Sequence, residues 1–406
     1  ALLPEANRRE RLHREAEALR RRFPRGERPP LFGALFGVKD IFKVEGFPRT
    51  AGSRLPATAL EGQESAIVTR IKALGAVVLG ITVSTEFAYF APGPTRNPRN
   101  RDHTPGGSSS GSAAAVAAGY CRLALGSQTI GSISRPASFC GVTGLKPSYG
   151  LLSTEGVFPF SLSVDHIGFI AGSLSDAALA FGAVTASGGA VGADRNALSD
   201  AGRGPLSREG LRGIRFLLPD EAYLSLAEES TLQTLFRTVE RLKGAGATVE
   251  ATTLLSDIEA IRRAHRRVIA RDFADLHRRY LDKYRDLYSD SSLALIEEGR
   301  RVSDRQLEVD RAGRLEVRGA LDEALRGAGA LGWLSPATVG VAPEGISSTG
   351  NPVMNLPWTY AGVPTVATPA GRGHKGLPLG LQLAGAYRED RELIALARSV
   401  EGVLEE

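Results

Sequence analysis

TPGGSSSGSAAAVAAGYCRLALGSQTIGSISRPASFCG, residues 104–141, decides the reading of this chain. Gly106 and Gly107 lead into the hydroxyls of Ser108, Ser109 and Ser110. These run directly into Ser112-Ala113-Ala114-Ala115-Val116-Ala117-Ala118, a helix-forming run whose free N-terminal amides would sit among the hydroxyls. The short apolar run 122–126 then reads as a buried strand, and Ser132 follows in a tight Ile130-Gly131-Ser132 turn. Helix, strand and turn in this order are expected to bring Ser108 and Ser132 together, so the stretch reads as a site before it reads as a scaffold.

Upstream, residues 92–104 form a loop rich in Pro, Asn and Arg. It is preceded by a helix at 64–74, a strand at 76–81 and a short helix at 84–90, a β-α alternation that implies a sheet with helices on its faces. The apolar run 31–42 reads as a strand with one cation, Lys39, set into it. A buried ammonium is costly and tends to lose its proton. The simpler reading is a lysine at a strand end, its head in solvent or paired with Asp40, and an isolated lysine is more often that. Lys43, in a more polar setting, is the internal control. Residues 1–23 have the pattern of a solvated amphipathic helix.

Downstream, residues 145–150 read as turns, 173–184 as a capped helix and 187–210 as an exposed connection. A strand at 214–218, a helix at 228–244 and a strand at 248–252 precede long helical patterns at 258–299 and 304–326. The last quarter returns to strands at 332–335, 365–368 and 379–383, with loops at 351–357 and 369–376 and a closing helix at 390–404.

The composition narrows the function. The chain has 406 residues, 42% hydrophobic and 23% charged, enough to bury a large core, and its net charge of +5 is small and scattered. The basic stretch 262–285 neutralises itself through Glu259/Arg263 and Asp275/Arg279 at i, i+4 spacing and has no aromatic stacking pattern, so a nucleic-acid partner is not favoured. Cys121 and Cys140 offer neither a CxxC nor a His at ligand spacing, which points to no metal, no disulfide and a reducing, cytoplasmic setting. No signal peptide opens the sequence, and the run 112–126 is too short for a membrane span and is interrupted by Arg122, so no membrane contact is expected.

Gly107-Ser108-Ser109-Ser110-Gly111 matches G-x-S-x-G, the nucleophile elbow of α/β-hydrolases, with Ser109 as nucleophile. That motif needs a core strand before it, and Asn97-Pro98-Arg99-Asn100-Arg101-Asp102-His103 is not one. Neither phosphate-binding glycine signature is present. The same residues do resemble the amidase signature family. The resemblance rests on Gly106–Ala113, on the Ser132 turn continuing through Pro136-Ala137-Ser138-Phe139-Cys140-Gly141, and on Lys39 after Gly37-Val38. It extends to Leu145-Lys146-Pro147, Asp165-His166-Ile167-Gly168, Asn355-Leu356-Pro357 and 376–382.

The resemblance implies a Ser-cisSer-Lys triad with Ser132 as nucleophile, Ser108 as relay and Lys39 as base, and a cis peptide bond before Ser108. It places an oxyanion hole on the backbone amides of Thr129, Ile130, Gly131 and Ser132. The chemistry is coherent, because a serine hydroxyl needs an adjacent base to attack an amide and a desolvated neutral lysine can be one. Three departures from the family pattern stand out. Gln128 stands where Asp is frequent, Ser134-Arg135 where Ile-Arg or Arg-aliphatic pairs are seen, and Ile130 where Gly or Ala is usual. A β-branched Ile130 would resist positive φ and crowd the hole. Arg135 and Gln128 are candidate substrate contacts, and Arg135 could hold a carboxylate or simply bond loop carbonyls.

The fold implied is α/β, a single large domain over 1–406 with a central mixed β-sheet covered by helices on both faces. Residues 30–170 form the signature core, 211–330 a helical, substrate-side segment, and 331–406 the returning strands and C-terminal helix. The function implied is hydrolysis of a small amide's C–N bond without metal or cofactor, through an acyl-enzyme, the amide being carboxylate-bearing if Arg135 binds it. The alternatives are the amidase subunit of a glutamine-dependent tRNA amidotransferase, and a degenerate member acting as a binding module. A homodimer is left open.

Overall fold

The computed structural model describes residues 1–186 and 211–405, so the connection read at 187–210 lies outside the described residues. The strands are β1 (Leu35–Lys39), β2 (Val77–Thr82), β3 (Leu123–Gln128), β4 (Thr143–Lys146), β5 (His166–Ala171), β6 (Arg215–Leu218), β7 (Thr248–Ala251), β8 (Gly332–Pro336), β9 (Thr365–Arg372) and β10 (Pro378–Ala384). They form one sheet of ten strands in the order β2-β1-β3-β5-β4-β9-β10-β8-β6-β7. Pairing is parallel at the two ends of the sheet and antiparallel through its centre, so the sheet is mixed.

The helices are α1 (Arg8–Arg22), α2 (Ala66–Ala73), α3 (Ser110–Ala117), α4 (Ser134–Cys140), α5 (Leu174–Thr185), α6 (Glu221–Leu224), α7 (Glu229–Gly244), α8 (Ile258–Tyr284), α9 (Asp290–Arg300), α10 (Asp304–Ala328), α11 (Leu356–Ala361) and α12 (Asp390–Glu405). Side chains alternate across the strands and divide the core in two. Ala124 of β3 and Ile170 of β5 join Ala113, Val116, Ile133 and Ala137 in a small core with α3 and α4. Their neighbours Leu123, Leu125, Phe169 and Ala171 face the large core, to which α5, α8 and α12 contribute. Among the described residues no helix is long and apolar enough to cross a membrane.

Several local readings need correction. The expected helix at 84–90 is a single 3₁₀ turn, Glu86–Ala88, broken by left-handed backbone at Phe87 (φ 48°). Leu145 and Lys146 belong to β4 rather than a turn, and β9 runs on to Arg372 through part of the expected loop 369–376. The pattern 258–299 is two helices separated by a 3₁₀ turn at Arg285–Leu287. Two short helices, α4 and α11, occupy stretches read as turn and loop. Both contain a proline in the first turn, where the missing N–H has no intrahelical partner to lose and proline is tolerated.

Candidate active site

The parallel pairing of β1 with β3 carries Lys39 and Ser127 to the same end of the sheet, since Val38 sits opposite Leu125 in register. Against that end comes the start of α3. Gly106 turns the chain with φ 79°, and a side chain on Gly107 would run into Thr349 Cγ2 at 2.7 Å. The Gly107–Ser108 peptide bond is cis. The result is a buried cluster in which Lys39 Nζ lies 2.7 Å from Ser108 Oγ and 2.8 Å from Ser127 Oγ.

Lys39 is completely buried and has no carboxylate partner among the described residues. Asp40 is not its counterion, because that carboxylate accepts from Thr50 N, Thr50 Oγ1 and Gly52 N. Burial therefore lowers the Lys39 pKa from 10.5 to about 7; the charge on Asp165 works against that shift and Arg135 adds to it. Asp165 is half-buried, and desolvation pushes its carboxyl up to about 6, although Thr129 Oγ1 and the amides of Phe160 and Ser161 donate to it.

Ser132 lines a small cavity with Ala88, Tyr89, Phe90, Thr129, Ile130, Arg135, Phe160 and Pro352, and its hydroxyl makes no hydrogen bond among the described residues. Ser109 is tied differently, its Oγ donating to the Ser127 carbonyl at 3.4 Å from the N-cap of α3. The turn before Ser132 has no residue at positive φ, so Ile130 meets no backbone penalty there. Instead its side chain lines the larger adjoining cavity of about 510 Å³. Gly131 is required by space, since a Cβ would stand 2.3 Å from Asn355 Oδ1.

The two candidate substrate contacts both make hydrogen bonds within the protein. Gln128 is fully buried, and its amide is committed at both ends: Nε2 donates to Thr359 Oγ1 at 3.0 Å, and Oε1 accepts from Ile133 N and Ser134 N at 2.8 and 3.0 Å. It caps α4 instead of facing the cavity. Arg135 is also buried, donating to the carbonyls of Gly350 and Gly107 at 2.7 Å and to Thr349 Oγ1 at 3.1 Å. Of the two readings kept open for it, this geometry favours a guanidinium that holds loop carbonyls, one of them on the cis peptide bond. Its pKa falls to about 9 through burial, which leaves it charged at neutral pH.

The larger cavity lies between Ile130, the 351–356 segment and one face of α8 that presents Glu259, Arg262, Arg263, His265, Arg266 and Arg267. Three of those arginines are paired, Arg262 with Glu259, Arg266 with Glu298 and Arg267 with Asp310. Arg263 has no ion pair or hydrogen bond among the described residues. Ser127, Asp165, His265 and Thr359 were not assigned a role from sequence. Ser127 left a signal there as a hydroxyl just after an apolar run, and Asp165 as part of the Asp165–Gly168 block; His265 and Thr359 left none.

The amidase family profile matches residues 8–317. The chain belongs to the amidase signature family. Among its relatives, a glutamyl-tRNA(Gln) amidotransferase subunit of Cupriavidus necator is 31% identical over 444 aligned positions, 96% of this chain and 87% of that one. AtzE of Pseudomonas sp. strain ADP, a 1-carboxybiuret hydrolase subunit, is 48% identical over 183 positions, 43% of this chain and 40% of its own. A crystal structure of amidase superposes with a TM-score of 0.86 at 30% identity, covering 100% of this chain and 92% of its own. Membership of this amidase family supports C–N bond hydrolysis as the class of reaction.

The depressed lysine has a consequence for stability. Below pH 7 the folded protein must carry a buried ammonium, whereas the unfolded chain holds its proton in water up to about pH 10.5, so Lys39 destabilises the fold increasingly as pH falls between those values. The variant Lys39→Met removes that dependence. Its melting temperature relative to wild type is expected to rise as pH is lowered from about 10.5 to about 7 and to level off below, measured by calorimetry. A difference that does not change with pH would show that Lys39 titrates normally.

Proposed function

We propose that this chain hydrolyses the C–N bond of a small amide through Ser132, Ser108 and Lys39. The observation that carries the reading is the 2.7 Å contact between Ser108 Oγ and a fully buried Lys39 whose pKa lies at about 7. Neutral Lys39 accepts the Ser108 proton while Ser108 takes that of Ser132, and Ser132 Oγ bonds to the amide carbon. The oxygen of the resulting tetrahedral intermediate is held by the amides of the 129–132 turn. The proton returns through Ser108 to the leaving nitrogen as the C–N bond breaks. Water then attacks the acyl-Ser132 ester through the same relay, releasing the carboxylate product and regenerating the serine.

The substrate reading is an amide with a carboxylate distal to the scissile bond. Arg135 is occupied by carbonyls, so the cation for that carboxylate is Arg263, on the wall of the 510 Å³ cavity. The likeness to a 1-carboxybiuret hydrolase subunit is in keeping with such a substrate. A second reading is favoured by the likeness to a tRNA amidotransferase subunit over 96% of this chain, and would make it one member of a complex. The intact Lys39–Ser108 contact speaks against a degenerate binding module.

Two measurements test this. With purified chain, kcat/KM on a small amide should rise with pH through about 7 and reach a plateau above it, because the neutral amine is the base. Lys39→Ala should lower it roughly a thousandfold or more while Lys43→Ala leaves it within about twofold. A profile without that inflection, or an active Lys39→Ala, would remove Lys39 from the mechanism. For a matched pair of amides with and without a distal carboxylate, Arg263→Gln should raise KM roughly tenfold for the acid alone, the scale of one charge-assisted hydrogen bond. Equal effects on both would reject Arg263, and turnover only with added partner proteins would favour the amidotransferase reading.

A further inference from the structure

The turn that carries Ser132 is held from behind. Thr129 O accepts from His265 Nε2 of α8 at 2.9 Å, and Ile130 O accepts from Thr359 Oγ1 of α11 at 2.6 Å. In a trans peptide unit the C=O and the following N–H point in opposite directions. Fixing the Thr129 carbonyl on His265 therefore aims the Ile130 amide away from α8, and fixing the Ile130 carbonyl on Thr359 aims the Gly131 amide away from α11. Among the described residues no turn, loop or side-chain acceptor takes either amide.

The donors are built for this use. Burial lowers the His265 pKa to about 4, and its Nε2 faces a carbonyl that can only accept, so the ring is neutral with its proton on Nε2. Thr359 is fully buried and has one hydroxyl proton; accepting from Gln128 Nε2 leaves that proton for a carbonyl, and Ile130 O at 2.6 Å is nearer than Asn355 O at 3.0 Å. Gln128 meanwhile accepts from Ile133 N and Ser134 N, so one side chain brackets the turn from both ends. An aspartate at 128 would accept from those amides but has no N–H for Thr359.

We infer that Thr359 and His265, with Gln128 orienting Thr359, are positioning residues that hold the amides of Ile130 and Gly131 in place for the oxyanion. This rests on the proposed role of Ser132. Thr359 is fully buried, and His265, though it lines the larger cavity, commits its Nε2 to Thr129 O, so loss of either hydrogen bond should appear in kcat, where the oxyanion develops, and not in ground-state binding.

The test is kcat, KM and the inhibition constant of a trifluoromethyl ketone analogue, each per active site titrated with a fluorophosphonate. Thr359→Val keeps the shape and removes the hydroxyl. It should lower kcat roughly tenfold or more, with KM within about twofold, and weaken the ketone by the same factor, while Thr359→Ser brings kcat back to within about threefold of wild type. His265→Phe supplies an independent variant should Thr359→Val fold poorly, with the same pattern expected. Unchanged kcat per titrated site in either folded variant, or a loss confined to KM, would overturn the inference and leave the Ser132 reading standing. A wild-type chain that neither turns over amides nor binds the ketone would overturn both.

Discussion

Of the two fully buried amines among the described residues, Lys39 and Lys146, the site is organised around that of Lys39. Lys39 is enclosed at the end of β1 without a carboxylate partner among the described residues, its nitrogen shared between two serine hydroxyls. Moving its pKa from 10.5 to about 7 corresponds to roughly 5 kcal/mol against the charged form. That cost makes the lysine usable as a base at neutral pH, and it also explains the surrounding polar architecture. Asp40, which could have neutralised Lys39, is occupied with the loop at Thr50 and Gly52, and Asp165 is saturated by Thr129 and two amides. The carboxylates nearby are thus kept from forming the ion pair that would restore an ordinary lysine.

Around the amine, the parts are held by backbone-directed hydrogen bonds more than by packing alone. Arg135 fixes the carbonyl of Gly107, Gln128 caps α4, and His265 and Thr359 fix successive carbonyls of the Ser132 turn. Each is a buried polar side chain spent on a main-chain group. This explains why Gln128, which looks like a substrate contact in sequence, is committed to the protein, and why Arg135 gives its two terminal nitrogens to Gly350, Gly107 and Thr349. Among the described residues the Ser132 hydroxyl and the Arg263 guanidinium make no hydrogen bond, and both border cavities.

Much of this was legible in the sequence. The helix after Ser110, the strand after Arg122 and the lysine in an apolar strand all follow from local pattern, the β-α alternation implied a sheet with helices on its faces, and the mixed sheet followed from the family resemblance. What was not legible has identifiable causes. Pro136 and Pro357 lie in stretches read as a turn and a loop, yet each sits in the first turn of a short helix, and those two helices flank the Ser132 turn. Ile130 looked incompatible with its position on the assumption of positive φ, which the turn does not use. The partners His265 and Thr359 lie more than 130 residues beyond the turn they hold, and no local pattern links a helix histidine to a distant carbonyl.

The hydroxyl proposed to react is that of Ser132, activated by the titration of Lys39. This assignment is tested most directly by reacting the chain with a fluorophosphonate at a series of pH values and mapping the adduct by peptide mass spectrometry. A single adduct on Ser132 is expected, forming at a rate that rises with pH through about 7. An adduct on Ser109, or labelling of Ser132 at a rate indifferent to pH across that range, would contradict it.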